Sequence, residues 1–105
     1  MEVLNNKKHF YAIGISYKNA DLKTRGDFSL SLEQKDTLTL EAKREGIEEI
    51  LINSTCNRTE IYAHVNHPIQ LINLLCKHSK GSLVVFNEIG YTHKNNAAFH
   101  HIFKV

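Results

Sequence analysis

From Phe10 to Tyr17 the side chains alternate, with Tyr11, Ile13, Ile15 and Tyr17 on one face and Ala12, Gly14 and Ser16 on the other. That is the period of a β-strand. Gly14 within it marks either a bulge, the commoner cause, or a close approach of another backbone or a ligand. Asn19 to Phe28 reads as a polar connection. Ser31 and Gln34 make a capping box, and Leu32, Leu38 and Ala42, with Gly46 just beyond, predict a helix over 32–45. Its apolar stripe is thin, and Glu33, Lys35, Asp36, Lys43, Arg44 and Glu45 form its wet face. Residues 48–53 predict a second strand, and the unbroken apolar run Ile50-Leu51-Ile52 places it centrally in the sheet. Residues 59–65 predict a third, with Ile61, Ala63 and Val65 facing one way and Glu60, Tyr62 and His64 the other.

Pro68 suits the first turn of a second helix, whose stripe of Ile69, Ile72, Leu75, Cys76 and Ser79 runs until Gly81 closes it. Leu83 to Tyr91 carries Val84-Val85-Phe86 and Ile89 and is expected to supply the fourth strand, and Asn95 or Asn96 caps a last helix that runs to the chain end. The order strand, helix, strand, strand, helix, strand defines an α+β fold, a ferredoxin-like βαββαβ sandwich with an additional C-terminal helix. At 105 residues the chain is one domain, 1–105, with a modest core. In that plan the second and third strands form a hairpin.

The hairpin connection holds the chemistry. Ser54-Thr55-Cys56-Asn57-Arg58-Thr59-Glu60 is a polar heptapeptide between two apolar runs. A thiolate is a far better nucleophile than a thiol, and a nearby cation such as Arg58 favours the charged form. Thr55, Asn57 and Thr59 add hydrogen-bonding groups that can orient a carbonyl or hold the loop in shape. On composition and spacing alone, a single cysteine beside an arginine is more often inert than catalytic.

Charge and the remaining residues exclude more than they suggest. A formal charge of +2 falls well short of a dedicated nucleic-acid binder. No apolar stretch approaches the ~20 residues of a membrane span and the N-terminus lacks a signal-peptide core, so no membrane partner and a cytoplasmic location are expected. Cys56 and Cys76 lack CxxC spacing, and the seven histidines form no recognisable metal pattern with them, so no metal is expected. There is no GxGxxG fingerprint and no room for a nucleotide-binding half.

Three blocks, Gly14-Ile15-Ser16-Tyr17-Lys18-Asn19-Ala20, the heptapeptide, and His101-Ile102-Phe103-Lys104-Val105, together resemble the N-terminal catalytic domain of glutamyl-tRNA reductase, in the family's order and across nearly the whole chain. The chain departs from the family where Asn19-Ala20-Asp21 replaces the usual Thr-Ala-Pro and where Lys104 replaces Arg. The resemblance implies the ferredoxin-like fold and a cysteine nucleophile, Cys56, that attacks the aminoacyl ester of glutamyl-tRNA to leave a glutamyl thioester. It implies that NADPH, bound by a domain absent from this chain, then reduces the thioester to glutamate-1-semialdehyde on the route to tetrapyrroles. A helical dimerisation domain is likewise implied elsewhere in the full-length enzyme, and the chain, ending at Val105 inside a helix, resembles an excised domain. His101 is expected near the thiol, with His100 pointing about 100° away on the same helix. Arg58 is the expected forked donor for the substrate's carboxylate and Arg25 the second, with Thr55 and Asn57 lining the site. Two other readings remain open at this point: a ferredoxin-like RNA-binding or regulatory module, disfavoured by the lack of an RNP-like aromatic run, and a redox-sensing cysteine without a resolving partner.

Overall fold

Alternation along the first strand places it at the centre of the sheet. The computed structural model describes residues 7–16 and 18–104, so Tyr17 and Val105 lie outside the described residues. β1 (His9–Ser16) pairs antiparallel with β3 (Arg58–Val65) on one side and with β4 (Tyr91–Lys94) on the other, and β2 (Ile50–Ser54) pairs with β3, giving the order β2-β3-β1-β4. This is the ferredoxin-like arrangement. The β1–β3 ladder runs unbroken from His9 opposite Val65 to Ser16 opposite Arg58, so Gly14 is not a bulge. It is a close approach: a Cβ at Gly14 would lie 2.5 Å from the Thr59 carbonyl oxygen, 2.8 Å from the Tyr91 hydroxyl and 2.9 Å from Glu60 Cγ.

β2 is an edge strand, contrary to the central position expected from its apolar run. Ile50 and Ile52 pack against the core, while Leu51 points away and stays 54% exposed. The run is a one-faced strand whose outward position happens to be leucine.

α2 (Leu32–Arg44) and α3 (Ile69–His78) cover one face of the sheet, over a core that includes Ile13, Ile15, Leu38, Ile61, Leu71 and Leu75. The capping box forms as expected: Ser31 Oγ accepts from the Gln34 amide at 3.1 Å, and Gln34 Oε1 accepts from the Ser31 amide at 2.7 Å. Gly46 follows at φ +92°, a left-handed conformation that suits glycine. In α3 the buried stripe is Leu71, Ile72, Leu74 and Leu75; Ile69 is 38% exposed, so the stripe is rotated from the one expected.

The two helices are joined by Glu41, whose carboxylate accepts from Lys77 Nζ at 2.9 Å and lies 2.9 Å from His78 Nε2. The Lys77 and His78 hydrogen bonds hold the Glu41 carboxyl below its ordinary value of 4.5. A carboxylate lowered in the folded state contributes stability that is present above its unfolded value and lost as pH falls through the folded one. Resistance to urea unfolding should therefore fall as pH drops below about 4.5, and Glu41→Gln should flatten that acid slope; an unchanged slope would remove Glu41 from the acid response.

Two helices arise where none was expected. α1 (Leu22–Phe28) replaces the polar connection: Asp21 Oδ1 caps it by accepting from the Thr24 amide at 2.8 Å, and Phe28 anchors it in the core. Asp21 thus supplies the helix start. α4 (Leu83–Ile89) replaces the expected fourth strand. Ser82 Oγ caps it by accepting from the Val85 amide at 3.2 Å, and it buries Phe86 while Val84 remains 70% exposed. The fourth strand comes after Gly90, as β4.

α5 (Asn96–Lys104) crosses the opposite face of the sheet, where Ala98 packs on Ala12 and Tyr62 with Phe10 and Ile102 alongside. Asn95, at φ 53°, leads into it: its amide donates to the Phe10 carbonyl at 2.7 Å and its Oδ1 accepts from the Phe10 amide at 3.3 Å. The last helix is thereby fastened to β1.

Candidate functional site

Cys56 sits at the tip of the β2–β3 hairpin, in the four residues between Ser54 and Thr59, which pair with each other. The turn is closed by the Thr55 amide donating to the Arg58 carbonyl at 2.8 Å. Thr55 Oγ1 also accepts from the Asn57 amide at 3.2 Å and the Arg58 amide at 3.3 Å, so its hydroxyl serves the turn. The base of the hairpin is tied inward: Ser54 Oγ lies 2.9 Å from Thr59 Oγ1 and accepts from the Leu30 amide at 3.0 Å. The tip is open. Cys56 is exposed, and its Sγ has Asn57 Oδ1 at 3.9 Å as its polar neighbour. Cys76, by contrast, is half-buried on α3, and burial pushes its thiol up.

The cleft beside the thiol, about 390 Å³, is lined by Leu22, Arg25, Gly26, Ser29, Leu30, Ser54, Thr55 and Cys56. Formation of α1 is what brings Arg25 there, from 31 positions upstream of Cys56. Arg25 Nε is buried without a hydrogen-bond partner among the described residues. A guanidinium in a cleft with a thiol suits a ligand that carries both a carboxylate and an electrophilic carbonyl.

Arg58 takes a different course. It begins β3 on the face opposite the main core, and its Nη1 lies 3.6 Å from Glu60 Oε2. Glu60 is 0% exposed. Its Oε1 accepts from the Tyr62 hydroxyl at 3.0 Å, while Oε2 accepts from the Tyr91 hydroxyl and contacts His101 Nε2. Tyr91 OH and His101 Nε2 are themselves 3.2 Å apart, and the His93 ring lies tilted against the His101 ring with centroids 4.7 Å apart. Burial, then the adjoining Glu60 carboxylate, pushes the Tyr62 and Tyr91 hydroxyls up, so both remain donors. His101 is therefore held against Glu60, and through that carboxylate it is linked to Arg58 at the base of the hairpin. His100 is exposed.

Sequence reasoning passed over Glu60 and Tyr91. The signal was faint but present: Glu60 and Tyr62 share the non-core face of their strand, opposite a glycine. Among the described residues, no group of three or more His, Cys, Asp or Glu is placed to hold a metal, and no helix is long and apolar enough to cross a membrane.

Fold and site together define a ferredoxin-like α+β domain that presents a cysteine at a hairpin tip beside a basic cleft. A family model described as the N-terminal domain of glutamyl-tRNA(Glu) reductase matches residues 13–105. The chain is 54% identical over 102 residues to a glutamyl-tRNA reductase of Christiangramia forsetii, covering 97% of this chain and 24% of that protein. It is 52% identical over 96 residues to one of Flavobacterium psychrophilum, covering 91% and 23% respectively. Among solved structures, glutamyl-tRNA reductase from Methanopyrus kandleri shares the fold with a TM-score of 0.69 at 17% identity, over 91% of this chain and 21% of that one. The chain belongs to the glutamyl-tRNA reductase family, in its N-terminal domain. It spans about a quarter of the length of these curated relatives.

Proposed function

We propose that this chain carries the acyl-transfer half of a glutamyl-tRNA reductase. The observation that supports it most directly is the exposed thiol of Cys56 on a tied hairpin base, sharing a cleft with the unpartnered Nε of Arg25. The Cys56 thiolate attacks the ester carbonyl of glutamyl-tRNA; the carbon–sulfur bond forms, the carbon–oxygen bond to the terminal ribose breaks, and the ribose oxygen leaves with a proton. The ester carries its own activation, so a positioned thiolate and cationic groups near the developing oxyanion are sufficient. Arg25 receives the glutamyl side-chain carboxylate. Arg58 and His101 complete the polar surround, and Thr55 and Asn57 hold the thiol in place.

The thioester left on Cys56 would be released as glutamate-1-semialdehyde, for tetrapyrrole synthesis, by hydride that NADPH bound to a domain outside this chain would supply. Residues 1–105 would thus be one unit of a cytoplasmic enzyme that also holds a nucleotide-binding and a dimerisation domain. The test is to mix the chain with glutamyl-tRNA, quench in acid and weigh the intact protein. A glutamyl adduct is expected, and no semialdehyde with NADPH added. Absence of any adduct would overturn the reading in favour of a binding module, and semialdehyde from this chain alone would overturn the division of labour.

A further inference from the structure

A carboxylate with no exposure to solvent is costly unless every donor it needs is at hand. Replacing such a buried polar cluster with apolar side chains of similar volume is often neutral or stabilising, so its stability contribution does not explain its presence. Glu60 is such a group, and its partners come from three elements: Arg58 and Tyr62 on β3, Tyr91 on β4 and His101 on α5. Two of them, Arg58 and His101, are the polar side chains assigned above to the surround of the thiol. They lie 43 positions apart in the sequence and meet on one oxygen, Oε2.

We propose that Glu60 is a positioning residue for acyl transfer at Cys56, holding the Arg58 guanidinium and the His101 imidazole in one fixed arrangement beside the hairpin. On the His101 side, an ionised carboxylate accepts only, so the ring presents Nε2–H to it and keeps Nδ1 as its other nitrogen. On the Arg58 side, one Nη is held at 3.6 Å while the side chain keeps 21% of its surface exposed, so the fork retains donors for a ligand. The Tyr62 and Tyr91 hydroxyls lock the carboxylate from its remaining directions, and the absence of a side chain at Gly14 leaves room for it. The inference rests on the acyl-transfer reading.

Glu60→Gln in this chain tests it, because the amide keeps the size and one acceptor oxygen while removing the charge. The expected result is a fall of about tenfold or more in the rate of adduct formation at saturating glutamyl-tRNA, since a small misplacement of an orienting group can cost about 100-fold. The concentration giving half-maximal rate should move by less than about threefold, because the hold on Arg58 and His101 matters at the reacting centre more than for the bulk of the tRNA. In parallel, ¹⁵N relaxation of the Arg58 guanidinium should report a rigid side chain in the wild type and a mobile one in the variant. A wild-type rate in Glu60→Gln, or a rate that falls only in proportion to the unfolded fraction measured by urea titration, overturns the proposal. So does an Arg58 as rigid in the variant as in the wild type. If the wild-type chain forms no adduct, the acyl-transfer reading has failed by itself, and the Arg58 relaxation still decides whether Glu60 fixes its partner.

Discussion

Cys56→Ser is expected to abolish covalent capture of the glutamyl group, leaving only the uncatalysed hydrolysis of glutamyl-tRNA. A hydroxyl is protonated at neutral pH and attacks an ester only with a base to take its proton, and among the described residues none is hydrogen-bonded to Cys56. The substitution should leave the fold intact, within about 0.5 kcal/mol, because the side chain is exposed and packs against nothing in the core. Cys76 provides the internal control. Its half-burial and raised thiol predict slow alkylation by iodoacetamide in the folded chain, and no acyl adduct. Peptide mapping after an acid quench reads both cysteines at once. An adduct that persists in Cys56→Ser, or that maps to Cys76, would show that the nucleophile has been misplaced.

Gly14→Ala should be the most damaging single methyl in the sheet. Its Cβ would fall 2.5 Å from the Thr59 carbonyl oxygen, a backbone atom held in the β1–β3 ladder, as well as 2.8 Å from the Tyr91 hydroxyl and 2.9 Å from Glu60 Cγ. Flexible side chains can yield to such contacts, but a ladder carbonyl yields only by bending the strand. Overpacking of this kind costs about 1–3 kcal/mol. For a domain of this size each kcal/mol lowers Tm by roughly 4–8 °C. Because the yielding side chains are Glu60 and Tyr91, the adduct rate should fall further than the loss of folded protein accounts for. Thermal unfolding and intact-mass kinetics on the same sample separate the two effects; a Tm within a degree or so of wild type would show that the sheet spreads at Gly14 without strain.

The strands at the centre of the fold were readable from sequence because their alternation is strict: Ile13 and Ile15, and Ile61, Ala63 and Val65, go to the same core, while Ala12 and Tyr62 go to the face under α5. The capping box of α2 was equally plain, since its two reciprocal bonds depend on residues three apart. The elements that escaped are short. α1 holds seven residues with one buried anchor, Phe28, and its start depends on Asp21 acting as a cap, which an alternation test does not see. α4 has β-branched residues at Val84 and Val85 and so looks like a strand; the Ser82 cap and the burial of Phe86 outweigh that weak local preference. In the site, the thiol loop was legible as a motif. The buried carboxylate was not, because on a strand read alone Glu60 marks the wet face, and only a helix laid across that face converts it into an interior position.

Chain topology also sets the order in which the site can assemble. The β2–β3 hairpin closes over a connection of four residues, so the thiol loop is the cheapest part of the sheet to form in terms of loop entropy. β1 meets β3 across an intervening stretch that holds α1, α2 and β2, and its other edge waits for β4, so that Tyr11 pairs with Lys94 only after nearly the whole chain has been gathered in. Such distant pairings are slow steps in folding. The cysteine is accordingly expected in place early, with Tyr91 and His101, which arrive with β4 and α5, joining Glu60 last. A chain stalled short of that closure would display a nucleophile on a formed hairpin with its charged surround still unassembled.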